Sequence, residues 1–357
     1  MLVLHEYAPT NAVPALASVY DGYLYNRTSG ALMGTIQVKV GKPKAGTASV
    51  KATVIGLDGK KKSLKAKEKG KAVIESDGPT TVELVGGEAC EVTLGDKSMS
   101  GMYGDYVIDG AVNVFVSKDA ADKAAGASVL GEWKGAVNVA WRRVEDAAPY
   151  QTLTVSIANK GKAKVSGALA DGTKVSASGQ FIVGDEWCCV PVVVSKKTRM
   201  AFVVWLRRVG DAAPYRVVGL GDSVVAGKPG VLKASGAAFH IDADAFAAMW
   251  GRGALPYLPN GVPVAGGAKW GLPKAGKVVY KKGTTEVDDS KTGANPSGLK
   301  LSCKAKDGTF KGSFKAYSDV NGKPKATKVS VTGVLIDGVG YGAATVKKVG
   351  GVAVTVE

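Results

Sequence analysis

Thr152-Leu153-Thr154-Val155-Ser156-Ile157 alternates hydroxyl and apolar side chains, breaks at Asn159-Lys160-Gly161, resumes as Ala163-Lys164-Val165-Ser166, breaks again at Asp171-Gly172 and continues through Lys174-Val175-Ser176. A period of two puts successive side chains on opposite faces of a half-buried strand. Asp-Gly between two such runs is hairpin chemistry, because a type I′ turn needs positive φ at both central residues. The stretch from Thr152 to Leu206 therefore reads as a β-meander. The same order of pieces occurs twice more. In one copy they are Thr35–Val40, a Gly/Lys turn to Gly46, Thr47–Leu57, Asp58-Gly59 and Lys60–Lys67. In the other they are Leu299–Ala305, Lys306–Gly308, Thr309–Val320, Asn321-Gly322 and Lys323–Ile336.

Between these copies, turns at Gly86-Gly87, Gly95-Asp96 and Asp109-Gly110 space short strands about ten residues apart, as sandwiches and barrels do. The 48 glycines exceed the usual share of roughly 7%, yet 45% of the 357 residues are hydrophobic, which suits buried strands and tight turns better than disorder. A chain of this length exceeds a single core of about 250–300 residues. The expected class is all-β: three related antiparallel meander units forming small barrels or sandwiches. The expected boundaries are a lead-in over 1–20, units over 21–130 and 131–226, and a last segment over 227–357. That segment holds a short helix near 241–250, an irregular connection and the third unit. Asp242 is placed to cap the helix, with Phe246, Met249 and Trp250 on one face. Ala-rich Asp119–Gly126 is expected to form a single helical turn.

A second repeat surrounds the central meander. Gly110-Ala111-Val112-Asn113-Val114 recurs as Gly135-Ala136-Val137-Asn138-Val139. Trp141-Arg142-Arg143, closed by Pro149-Tyr150, recurs as Trp205-Leu206-Arg207-Arg208, closed by Pro214-Tyr215. Proline stops a β-ladder, so each segment reads as a strand leaving its sheet at the rim. Arginine beside Trp or Tyr predicts stacking that stiffens these corners.

The formal charge of +16 is carried mainly by lysine. Two readings follow: solvated faces with edge strands guarded by Lys, or attraction to a polyanion. Nucleic acid is disfavoured as the partner, since its sites concentrate Arg and interleave aromatics. No apolar run reaches the roughly 18 residues of a membrane span. Met1–Glu6 lacks the charged start and apolar core of a signal peptide. The polar opening and the strand at Val352–Glu357 suggest the tail of a longer polypeptide.

Chemistry-bearing motifs are sparse. The four cysteines show no metal or redox spacing and read as buried thiols; Cys90 could pair with Cys303 only if their units met. No cofactor or metal site is read. Gly219-Leu220-Gly221-Asp222-Ser223 with His240 and Asp242 supplies the catalytic candidates, Ser223, His240 and Asp242, for a hydrolase built from loops between the second and third units. The strand-to-helix elbow of such enzymes is missing. Asp185-Glu186 and Asp288-Asp289 are read as turn carboxylates. Val339-Gly340-Tyr341-Gly342 is read as turn chemistry and not as a phosphate loop. Flat aromatics near loop rims could stack on sugar faces, which makes Trp141, Trp205, Tyr150, Tyr215 and Trp187 the candidate ligand residues; the competing reading is that each Trp plugs a Val- and Ala-rich core.

Asp307-Gly308-Thr309-Phe310-Lys311-Gly312-Ser313-Phe314-Lys315, Val334–Gly342, the closing Val352–Glu357, Leu169–Ser178 and Leu272–Val278 together resemble uncharacterised Gly/Lys-rich C-terminal β-repeat modules of very large predicted bacterial surface or secreted proteins. The resemblance spans most of residues 20–357 and carries no catalytic residue across. It implies extracellular display and a structural, anchoring or ligand-binding role. The expected function is a non-enzymatic module that binds a glycan or an anionic envelope polymer. A hydrolase is the alternative, and a polyanion or nucleic-acid binder the third.

Overall fold

The computed structural model describes residues 18–75, 78–142, 149–169, 172–185, 187–194, 200–207, 215–218, 223–227, 239–241, 270–271, 277–280, 300–304, 306–320, 323–346 and 350–356. No helix among them is long and apolar enough to cross a membrane. The described chain is mostly β-strand and divides into two compact units, one drawn from 1–134, 157–164 and 177–220, the other from 135–156, 165–176 and 221–357.

The first unit holds β1 (Ser18–Asn26), β2 (Leu32–Val40), β3 (Thr47–Gly56), β4 (Lys61–Ala66), β5 (Lys71–Val73), β6 (Thr80–Val85), β7 (Cys90–Leu94), β8 (Ser98–Tyr103), β9 (Tyr106–Val112) and α1 (Ala120–Trp133). Pairing runs β2-β1-β9-β8-β7-β6-β4-β3, and β2 also pairs with β3, so eight strands close on themselves as a barrel with β5 added beside β3. The alternation read from the sequence becomes an inside and an outside. On β2, Ile36, Val38 and Val40 are buried while Lys39 is exposed.

Glycine sets the tightest approach in this barrel. Gly22 lies opposite Gly110 across β1 and β9. A Cβ on Gly110 would stand 2.5 Å from the Asp21 carbonyl and 2.8 Å from Met99 Cε, and one on Gly22 would stand 2.6 Å from both the Asp109 carbonyl and Met99 Cε. Asp109-Gly110, expected as a turn, therefore lies inside β9, and its glycine makes room for Met99. The hairpin turn is Gly104-Asp105 instead, with Gly104 at φ +55°. Strand β9 stops at Val112, because Asn113 folds the chain back by accepting from Phe115 N at 3.0 Å.

Helix α1 is longer than the single turn expected. Asp119 caps it by accepting from Asp122 N at 3.0 Å, while Val129 and Trp133 are buried. Gly126 and Gly131 each cost the helix about 1 kcal/mol relative to Ala, but Gly126 lets the helix press close to Val114 and Phe115. The helix expected near 241–250 lies outside the described residues beyond Ile241.

Both faces of β1 are buried. Its outer face meets β14 (Ile182–Val183), β15 (Trp187–Val194), β16 (Met200–Arg207) and β17 (Tyr215–Val218), a sheet paired in that order. Tyr23, Leu32 and Ala111 pack there against Ile182, Cys189 and Val203. Beside them Asp21 is buried with both oxygens satisfied: Gln37 Nε2 donates to Oδ1 at 2.7 Å and Asn113 Nδ2 to Oδ2 at 2.6 Å. Desolvation raises its pKa, partly opposed by these two donors and by Lys39.

The second unit begins with β10 (Gly135–Arg142) and β11 (Gln151–Ile157); β12 (Lys162–Ala168) and β13 (Lys174–Gln180) supply residues to both units. With β18 (Ser223–Gly227) these form a sheet of order β13-β12-β11-β10-β18. A larger sheet runs β19-β26-β25-β24-β23-β22-β21-β20. Its members are β19 (Phe239–Ile241), β20 (Trp270–Gly271), β21 (Lys277–Tyr280), β22 (Lys300–Lys304), β23 (Thr309–Val320), β24 (Lys323–Ile336), β25 (Val339–Val346) and β26 (Gly350–Val356). The three matched stretches are thus the triplets β2-β3-β4, β11-β12-β13 and β22-β23-β24, each paired in chain order.

Ala45-Gly46, at φ 48° and 71° between the bridged Lys44 and Thr47, has the type I′ signature, and so does Asp337-Gly338 outside the matched turns. Asp337 and Gly338 both take positive φ, at 50° and 89°, between the paired Ile336 and Val339. At Asp58-Gly59 the glycine alone does so, because Gly59 N bonds back to Gly56 O at 2.9 Å and closes a longer loop. Asn321-Gly322 lies outside the described residues. All four cysteines are free and buried, so Cys90 and Cys303 are not bonded to each other. Burial pushes the Cys90 thiol up to about 11 and the Cys303 thiol up to about 12.

Asn138 ties the second unit together. Its side chain is fully buried, donates to Asp307 O at 2.9 Å and Leu335 O at 3.1 Å, and accepts from Thr154 Oγ1 at 2.9 Å. Asn138→Leu strips three partners of their bond and should cost about 2–4 kcal/mol in denaturant melts; a loss below about 0.5 kcal/mol would show that the tie is dispensable. Asp21 gives a pH signature. Its folded pKa is raised above the ordinary 3.8, so its favourable contribution is complete below that value and is lost as pH rises through the folded value. The stability of the protein relative to Asp21→Asn should therefore fall with rising pH from the ordinary carboxylate range upward, and a difference independent of pH would contradict the burial cost.

Candidate functional site

The rim residues part company in the structure. Trp141 is wholly buried in β10, so its ring offers no face to a ligand. Arg142 lies with its guanidinium 4.8 Å from the centre of the Tyr150 ring, the stacking expected of that corner. In the other copy Trp205 and Trp187 are half-buried on β16 and β15, edge to face at 5.4 Å. Tyr215 opens β17 opposite Leu206. Ser223 lies on β18 opposite Arg142, and His240 on β19 opposite Thr355, in two different sheets. Asp242 lies outside the described residues.

Two tyrosines not singled out from the sequence join Trp187 and Trp205. Tyr23 meets Trp187 at 6.4 Å and Trp205 at 6.0 Å, both edge-on, and Tyr25 packs beside it at 6.1 Å. Tyr23 Oη donates to Asp109 Oδ2 at 2.6 Å, and burial followed by the Asp109 charge raises the phenol well above its ordinary range. These rings pack against the buried residues Ile182, Cys189 and Val203 of the first unit. No signal in the sequence joins these rings, because the contacts come from separate strands.

The second unit contains a cleft of about 620 Å³. One wall comes from β11–β13 and contributes Thr152, Ser166 and Lys174. The other wall is two register rows of the larger sheet. Ser302 pairs with Lys311 and Lys311 with Thr332; Lys304 pairs with Thr309 and Thr309 with Val334. Lys174, Lys304 and Lys311 are all exposed, and Lys304 and Lys311 stand on these rows. Tyr150 belongs to the cleft lining and meets Tyr341 edge-on at 5.2 Å.

Glycine explains how Tyr341 is placed. Gly340-Tyr341-Gly342, read as turn chemistry, lies inside β25. A Cβ on Gly342 would stand 3.0 Å from Phe310 Cζ, and one on Gly340 3.1 Å from Phe310 Cε1, while Gly333 on β24 faces the same ring. The buried Phe310 ring thus covers three glycines, and strand alternation sends Tyr341 to the opposite face from its two glycine neighbours. The alternation of Thr309-Phe310-Lys311 was the available signal for this wall, with the aromatic inward and its polar neighbours outward. No carboxylate or histidine lines the cleft among the described residues.

No group of three or more His, Cys, Asp or Glu side chains that could hold a metal occurs among the described residues. Comparison with protein-family models, curated proteins and solved structures gives no match for this chain.

The burial difference between the two tryptophans is measurable. Trp141→Ala should cost about 3–5 kcal/mol as a wholly buried aromatic, and Trp205→Ala distinctly less because its ring is half-exposed. Equal losses in thermal or denaturant melts would contradict the assigned burial.

Proposed function

We propose that the chain is a non-enzymatic β-module that binds a glycan polymer in the cleft of the second unit, and that it is displayed at a cell surface or outside the cell as the resemblance of its repeats implies. The observation that carries the reading is the lining. Hydroxyls from Thr152, Ser166, Ser302, Thr309 and Thr332 stand with three lysines and Tyr150 in one cleft. Sugars are recognised by hydroxyl-to-hydroxyl hydrogen bonds and by aromatic rings under their apolar faces. The cleft volume falls within the roughly 300–1,000 Å³ of small-ligand sites. Lysine ammonium groups donate to ring oxygens and hydroxyls and attract carboxylated or sulfated sugars. Among the described residues the lining supplies no pair of carboxylates of the kind that glycoside hydrolysis uses.

Affinity electrophoresis against neutral and acidic polysaccharides, followed by calorimetric titration, tests the proposal. At least one polysaccharide should retard the protein. Thr332→Trp, which fills the cleft from an exposed position, should weaken that binding about tenfold or more, equivalent to about 1.4 kcal/mol, without lowering the melting temperature. Retardation unaffected by Thr332→Trp for every polysaccharide that binds, neutral ones included, or no retardation by any polysaccharide, would overturn the assignment.

A further inference from the structure

Lys39, Lys51 and Lys65 face one another across β2, β3 and β4: Lys39 is in register with Lys51, and Lys51 with Lys65. All three are exposed. None is ion-paired among the described residues, where the lysine pairs engage Lys60, Lys67 and Lys97; Lys39 also senses the buried Asp21. Like charges set directly opposite one another destabilise a sheet, so the row needs a reason.

Edge protection does not supply it. Lysine blocks edge-to-edge pairing only where a strand has a free side, and β2, β3 and β4 are members of a closed ring in which each has neighbours on both sides. General solubility does not supply it either, because alternating signs solvate a face as well, and the same barrel uses that solution at Lys67 and Glu83, 2.8 Å apart. Two residues along the strands, about 7 Å away, runs a parallel row of Gln37, Thr53 and Ser63. Gln37 is committed to Asp21, whereas Thr53 and Ser63 present hydroxyls beside the cations.

We infer that this outer face of the barrel is a docking surface for an acidic polysaccharide, a sugar chain bearing carboxylate or sulfate groups. Neighbouring strands lie about 4.8 Å apart, so the row offers a regular series of cations with a hydroxyl row alongside, which matches a polymer carrying anionic groups and hydroxyls on successive residues. Nucleic acid fits less well. Its single strands stack bases on aromatic rings, and neither row contains an aromatic or an arginine. The surface belongs to the first unit and goes beyond the cleft of the second without resting on it.

The test uses the full chain, with polygalacturonate, dextran sulfate, neutral dextran and a short DNA duplex as probes. Polygalacturonate or dextran sulfate should bind, and neutral dextran should not bind through this face. A triple variant, Lys39→Gln with Lys51→Gln and Lys65→Gln, should lose about tenfold or more in affinity for the acidic chain and flatten the dependence of log K on log salt by roughly two to three. A control triple, Lys118→Gln with Lys123→Gln and Lys160→Gln, removes the same charge from exposed positions elsewhere and should change little. Lys51→Glu should weaken binding and raise the melting temperature together, because it replaces two repulsions by attractions. Equal losses in the two triples would reduce the effect to net charge and overturn the inference, as would tighter binding to DNA than to either acidic polysaccharide. Thr332→Trp should leave this binding intact, which separates failure of this surface from failure of the cleft.

Discussion

The second unit depends on the buried amide of Asn138, which takes up two backbone carbonyls and a threonine hydroxyl with no exposure to water. A buried amide is tolerated only when its bonds are made, and each bond left unmade costs about 1–3 kcal/mol. The constraint is directional, so it fixes which strands lie opposite one another as well as how firmly they are held. Thr154, which donates to this amide from β11, lines the cleft, and the Leu335 carbonyl lies on β24 beside Val334 of the facing wall. The shape of the cleft is therefore set by a polar bond in the interior. Asn113, at the matching position of the repeated Gly-Ala-Val-Asn-Val, does comparable work in the first unit by holding Asp21.

Around these polar ties, packing depends on glycines placed under large side chains. Met99 crosses Gly22 and Gly110, and Phe310 crosses Gly333, Gly340 and Gly342. A glycine in a strand weakens it through entropy and the missing side chain, and a ring or thioether laid over the bare backbone restores the lost contact. The solvent-exposed part of the outer face, across β2, β3 and β4, is left to charge. Lysine dominates it, and the closed ring of the first unit removes the edges that lysine most often guards.

Much of the architecture was legible in residue order because period-two alternation and Gly-containing turns report strands directly. Thr35–Lys67, Thr152–Ser178 and Leu299–Val331 are strand triplets for that reason. Asp109-Gly110 was not legible, since a glycine that admits a neighbour looks the same in sequence as one that turns the chain. Helix α1 ran past its expected turn because burial of Val129 and Trp133 outweighs two unfavourable glycines. Of the candidate ligand residues, Tyr150 lines the cleft and Trp141 is core. Tyr341 was hidden between two glycines that suggested a turn, and Tyr23 and Tyr25 meet the tryptophans only through tertiary packing. The repeated asparagine was visible as a repeat, but its burial belongs to the fold.

The cleft combines a hydrogen-bonding wall, cations at exposed positions and Tyr150, all within one unit. Its assignment as the glycan site is tested most directly by mapping backbone amide shifts while an acidic or neutral oligosaccharide is titrated into the isotopically labelled protein. Binding in the cleft should produce saturable shifts centred on Tyr150, Ser166, Lys311 and Thr332. Shifts centred instead on the Trp187 and Trp205 cluster, with the cleft unperturbed, would contradict it.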